Sequence, residues 1–169
     1  MGRIGKNFES AEDDFRILDA PLHADAARLV DYWQQKRGSR AMPDRSDIVP
    51  GDIVSLLPYI VIYDVIDEGR DYRVRIFGTA LVNLVGEERT GMLVSEFGAK
   101  CVPPTDAEAV RGRWMDSMTA AYTSGQPAFV TGRMSSSLRP YIVWHGASCP
   151  LSDGSGKATQ MIGIMTIDQ

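Results

Sequence analysis

Histidine and cysteine are scarce in this chain: two of each, His23, His145, Cys101 and Cys149, in 169 residues. They fall singly, without a CxxC pair or two histidines at helical spacing, which argues against a zinc site of the ordinary kind. Two isolated cysteines suit a reducing compartment, where they read as packed thiols rather than a disulfide. Long apolar runs are also missing. The longest, such as Tyr59 to Tyr63, fall far short of the roughly 20 residues that a membrane-spanning helix needs. Basic runs are absent, and 22 acidic residues outweigh 18 basic ones for a net charge of −4, so nucleic acid is not an expected partner. The start, Met-Gly-Arg-Ile-Gly-Lys, has no apolar signal core, and Lys6 stands where a myristoylation pattern requires Ser or Thr. A cytoplasmic location is the expectation that follows.

Two catalytic motifs fail on inspection. Gly154-Ser155-Gly156-Lys157 suggests a phosphate loop, but Ala158 follows the lysine and Leu151 occupies the position of the leading glycine, leaving a glycine-rich hairpin turn. Ser155 is not framed by the Gly-x-Ser-x-Gly elbow of a hydrolase. Two ionisable residues remain as candidates for chemistry. Asp64, on an otherwise apolar strand pattern, is either a buried base of raised pKa or a residue of the strand's edge. His145 is either a base or a hydrogen-bonded structural residue.

The informative stretch is residues 69 to 92. Asp71, Arg73 and Arg75 alternate with Tyr72, Val74 and Ile76, the period-two pattern of a half-buried strand. Gly78 ends it. From Thr79, read as an N-cap, Leu81, Leu84 and Val85 follow helical spacing until Gly86 supplies a left-handed C-terminal cap.

Before it, residues 1 to 20 mix both charges with little apolar periodicity and are expected to form a flexible N-terminal arm. Leu22, Ala26, Leu29, Val30 and Trp33 share one helical stripe, and Lys36 and Arg37 precede Gly38 at the negative helix end, so 21 to 52 reads as a helical cap and connector. Residues 58 to 66 are apolar at nearly every position, which predicts a strand covered on both faces and joined by Asp67 to Arg70 in an antiparallel hairpin. Thr105-Asp106-Ala107-Glu108 has capping-box spacing and starts a helix striped by Val110, Trp114, Met118 and Ala121 up to Gly125 and Pro127. Strands are expected near 127 to 134, 139 to 149 and 157 to 167, with turns at Ser135 to Leu138 and Ser152 to Gly156. The predicted class is α+β: a five-stranded antiparallel sheet with helices on one face and an N-terminal helical cap, its core domain spanning 53 to 169.

Several pieces of this order resemble a known family. Trp33, Lys36-Arg37-Gly38, Met42-Pro43, Leu56-Leu57-Pro58, Asp64-Val65, Gly69-Arg70-Asp71-Tyr72, Gly78-Thr79, Thr90-Gly91 and Pro150-Leu151-Ser152-Asp153 are similar in order and spacing to the small stand-alone PAS proteins found mainly in alphaproteobacteria. The resemblance implies a sensory or regulatory module of no enzymatic activity, with short helices walling a pocket and no cofactor named by any residue. Strand patterns run to Ile167, leaving no room for an output domain, so a signal is expected to leave through a separate signalling output protein or a second copy.

A pocket is expected to be mostly apolar and bordered by Phe77, Leu81, Leu84, Met92, Met115, Met118, Trp144 and Met161, suited to a small apolar ligand. A homodimer is expected through the N-terminal helix and the outer sheet face, with Leu22, Leu29 and Trp33 near the axis. The alternatives are a small α+β enzyme with Asp64 or His145 as base in an apolar cavity, and a ligand-free scaffold with a filled core.

Overall fold

A computed structural model describes residues 15–98, 106–133 and 142–168. The chain runs β1 (Arg16–Leu18), α1 (Ala24–Arg37), a 3₁₀ segment (Pro50–Tyr59), β2 (Ile60–Ile66), β3 (Asp71–Phe77), α2 (Thr79–Val85), α3 (Asp106–Ser124), β4 (Ala128–Arg133), β5 (Val143–Ser152) and β6 (Ala158–Ile167). The strands form one antiparallel sheet in the order β1-β4-β5-β6-β2-β3. Among the described residues, six strands therefore stand where five were expected. The extra one is β1, which pairs with β4 through Arg16 and Thr131, Ile17 and Val130, and Leu18 and Phe129. It lies inside the segment read as a flexible arm; residues 1–14 and the expected turn at 135–138 lie outside the described residues, as does Thr105 of the capping-box spacing.

The sheet separates two apolar cores. On the outer face, α1 lays Ala26, Leu29, Val30 and Trp33 against Ile60, Ile62, Ala147, Cys149, Leu151, Ile162 and Ile164, and the 3₁₀ segment adds Ile53 and Leu56. On the concave face, α2 and α3 cover Val61, Tyr63, Tyr72, Val74, Val130, Trp144, Met161 and Met165. The expected two-sided burial of the 58 to 66 strand is thus met: Ile60 and Ile62 enter one core, Val61 and Tyr63 the other. Burial of this kind contributes about 1.5–3 kcal/mol for each large apolar side chain.

Alternation in β3 fails at one point. Ile62 pairs with Ile76 while Tyr63 pairs with Val74, so Arg75 is an inserted residue, a β-bulge that reverses the faces beyond it. Ile76, expected inside, is 43% exposed, and Phe77 turns inward at 6%. The cap of α2 also differs from expectation. Gly78 rather than Thr79 holds the N-cap position: its backbone is extended and its carbonyl accepts from Val82 N at 3.1 Å, and glycine is required there because a Cβ would run into the Pro58 carbonyl. Gly86 adopts the expected left-handed cap at φ 76°.

Candidate functional site

Between α3 and the concave sheet face lies a small cavity. Strand alternation points Val61 and Tyr63 of β2, Val130 of β4, Trp144, Gly146 and Ser148 of β5, and Gly163 and Met165 of β6 toward it, and α3 closes it with Arg113, Trp114, Ser117 and Met118. Gly146 and Gly163 let neighbours lean across the floor: a Cβ on Gly146 would sit 2.9 Å from Val130 Cγ2, and one on Gly163 3.2 Å from Val61 Cγ1. About 30 Å³ is free. A buried water occupies roughly 10–15 Å³ measured in the same way, so the space admits about two or three molecules of that size. A planar cofactor enters only if Trp114 and Met118 move.

Its lining is apolar apart from a few polar groups. Ser117 and Ser148 are buried, with their Oγ atoms 3.0 Å apart, joining α3 to β5. Arg113 is 7% exposed, and its Nη1 donates to the Arg133 carbonyl at 2.9 Å, which also accepts from Trp144 Nε1 at 3.2 Å. Burial pushes the Tyr63 hydroxyl well above the usual phenol range, against the pull of the nearby Arg89 charge.

Of the eight expected pocket residues, Met118 and Trp144 line this cavity. Phe77, Leu81, Leu84, Met92, Met115 and Met161 belong to the same concave-face core but pack away from the free space. Trp114, on the apolar stripe of the expected helix, is half-buried against that core. Sequence reasoning missed Ser117, Ser148 and Arg113, since a serine or arginine on a helix or strand shows no sign of facing inward until its partner across the sheet is known.

The expected dimer contacts need correction. Leu29 and Trp33 are 0% exposed, because α1 buries its stripe on the sheet of its own chain. Leu22, at 62%, is the one of the three open to a second copy.

Both candidate bases stand on the face opposite the cavity. Arg75 donates to both Asp64 oxygens, Nε to Oδ1 at 2.9 Å and Nη2 to Oδ2 at 2.8 Å, and Gln160 Nε2 donates to Oδ1 at 2.7 Å. Partial burial raises the Asp64 pKa, but these bonds outweigh it and hold the carboxyl below its usual range, the reverse of a poised base. His145 lies beneath the His23 ring, centroids 5.6 Å apart, with Nε2 2.8 Å from Asp168 Oδ1 and Nδ1 3.3 Å from Thr131 Oγ1. Both its nitrogens are engaged away from the concave core. Among the described residues no three His, Cys, Asp or Glu side chains come close enough to share a metal ion, and no helix is long and apolar enough to cross a membrane.

An antiparallel sheet with short helices and a long helix over its concave face, and a cavity between them, is the architecture of a sensor domain. The model of the PAS domain family matches residues 22–166, and the chain belongs to that family. No match was found among curated protein sequences. Among solved structures, the chain is similar to one described as an RNA-binding light-oxygen-voltage receptor, at 18% identity and a TM-score of 0.46, over 72% of this chain and 33% of that one. It is also similar to a sensory box histidine kinase/response regulator from Burkholderia thailandensis E264, at 12% identity and a TM-score of 0.40, over 70% and 84% of the two chains.

Proposed function

We propose that this PAS domain is a cytoplasmic regulatory module that takes a small, largely apolar ligand between α3 and the sheet and passes the change to a separate output protein or a second copy. The observation that carries the reading is the buried Ser117–Ser148 hydroxyl pair in a largely apolar cavity. Each hydroxyl of such a pair can exchange its partner for a polar atom of a ligand without being left unsatisfied. The ligand is therefore small, with one polar end. Because Ser117 sits on α3 and Ser148 on β5, occupancy changes how the helix is tied to the sheet. The enzymatic alternative is not favoured, since Asp64 and His145 stand on the other face of the sheet.

Native mass spectrometry of freshly purified protein, together with a thermal-shift screen of short alcohols, amides and fatty acids, tests this. A ligand at one hundred times its dissociation constant adds about 2.7 kcal/mol to stability, and that gain should shrink in Ser117→Ala. No retained mass and no shift from any compound would sink the ligand and leave a scaffold that acts through its partner alone. Sedimentation of the intact chain and of Leu22→Glu addresses the second copy: a concentration-dependent dimer weakened by the substitution is expected, and a monomer throughout points to a different protein as the partner.

A further inference from the structure

The concave side also holds a buried cation that is not among the residues lining the cavity described above. Arg89 is 6% exposed. Its guanidinium carbon lies 4.3 Å from the centre of the Phe97 ring, 5.7 Å from Trp114 and 6.0 Å from Phe77. The three rings come from three places in the chain: the end of β3, the loop after the 3₁₀ turn at Val94–Glu96, and the middle of α3. Phe97 and Trp114 meet edge to face, with centroids 5.4 Å apart and planes at 87°. A Glu87 oxygen stands 3.3 Å from Arg89 Nε as counter-charge, and its side chain is only 12% exposed. Several aromatic faces within about 6 Å of one desolvated cation, with a carboxylate beside them, form the arrangement by which proteins recognise organic cations.

The segment that carries Arg89 is built as a strap. Gly86 and Gly91 bracket it at φ 76° and 88°, conformations that need glycine, and neither has an atom within 4 Å of where a Cβ would stand. Between them, Glu88 accepts from the amide and hydroxyl of Thr90, two bonds internal to the segment. At its far end two backbone bonds close the strap onto β3, from Gly91 N to Val74 O at 2.7 Å and from Val74 N to Met92 O at 2.9 Å.

We propose that Phe77, Phe97 and Trp114 form a binding site for an organic cation of the guanidinium or methylated-ammonium kind, which the chain fills with its own Arg89, and from which an external cation displaces the strap. Trp114 borders both this site and the cavity beside Ser117, so exchange here alters one wall of that cavity. The site does not depend on the cavity having a ligand.

Arg89→Ala empties the cage and exposes it to test. Isothermal titration with methylguanidinium, and with its neutral isostere methylurea, is expected to show saturable binding of the cation at least about tenfold tighter than of the neutral compound. The same cation should bind the wild-type chain more weakly by a similar factor, because Arg89 competes. Adding Phe97→Leu to Arg89→Ala should reduce the preference for charge several-fold, since the nearest ring is lost while Trp114, Phe77 and Glu87 remain. If Arg89→Ala does not fold alone, circular dichroism reads the same titration as refolding, which is expected with methylguanidinium and not with methylurea. Equal affinity for cation and isostere, no binding or refolding with either, or a preference undiminished by Phe97→Leu would overturn the site. In the wild-type chain, tetramethylammonium chloride should speed hydrogen exchange at Gly91 and Val74 relative to sodium chloride at equal ionic strength. Unchanged exchange at those amides would overturn displacement of the strap.

Discussion

The indole Nε1–H of Trp33 donates to the Pro150 carbonyl at 2.7 Å, in the interior of the protein and across 117 positions of sequence. It ties the N-terminal helix to the C-terminal part of β5, and Trp33 is 0% exposed. Trp33→Phe keeps much of the apolar area but leaves that carbonyl without its indole donor and opens a void. A loss of about 2–4 kcal/mol is expected in urea unfolding. A variant as stable as the parent would mean that the helix does not rest on the sheet in this way.

Two glycines make opposite predictions. Gly78→Ala drives a Cβ against the Pro58 carbonyl, whose oxygen and carbon would lie 2.2 and 2.6 Å away, and backbone cannot yield as a flexible side chain does. A cost above about 3 kcal/mol is expected, or failure to fold. Gly112 sits in α3 with nothing within 4 Å of a would-be Cβ. Gly112→Ala should raise stability by about 0.5–1 kcal/mol, from helix propensity alone. Thermal melts of the pair check both directions at once.

The Asp64–Arg75 pair predicts a dependence on pH. Its folded-state pKa lies below the ordinary carboxylate value, so the ionised form is favoured by folding. The stabilisation is present above the unfolded pKa of about 3.9 and is lost as pH falls below it through the folded value. Chemical denaturation of the wild type and Asp64→Asn should show a gap near neutrality that closes as the solution is acidified. A gap that widens in acid would contradict the assigned direction.

Ser117 and Ser148 predict non-additivity. Removing either hydroxyl leaves the other buried without its partner, at about 1–2 kcal/mol each, whereas removing both leaves an apolar contact. The double-mutant cycle Ser117→Ala with Ser148→Ala should therefore give a coupling energy of about 0.5–1.5 kcal/mol. Additive effects would place the two hydroxyls apart.

Much of this architecture was legible from local chemistry. The stripe from Ala26 to Trp33, the unbroken apolarity of Ile60 to Tyr63 and the glycine stop at Gly86 each constrain backbone within one or two turns, and period and capping are properties of neighbours in sequence. Even the need for cover on both faces of β2 was visible, because no one-sided strand would hold Ile60, Val61, Ile62 and Tyr63 together.

What supplied that cover was decided only in three dimensions. Whether Leu29 and Trp33 meet their own sheet or a second copy depends on where α1 and the 3₁₀ segment come to rest, which no periodicity encodes. β1 is three residues long and finds its partner more than a hundred positions away, too short for alternation to register. The bulge at Arg75 reverses Ile76 and Phe77 through pairing with β2, not through any signal in β3. Arg89 lies within Gly-Glu-Glu-Arg-Thr-Gly, where no apolar period signals burial, and its burial follows from Phe77, Phe97 and Trp114 converging from three separate segments. Local sequence determined the elements and the faces they needed to bury; the side chains that meet across the sheet, and so the cavity and the cage, arose from packing between segments far apart in the chain.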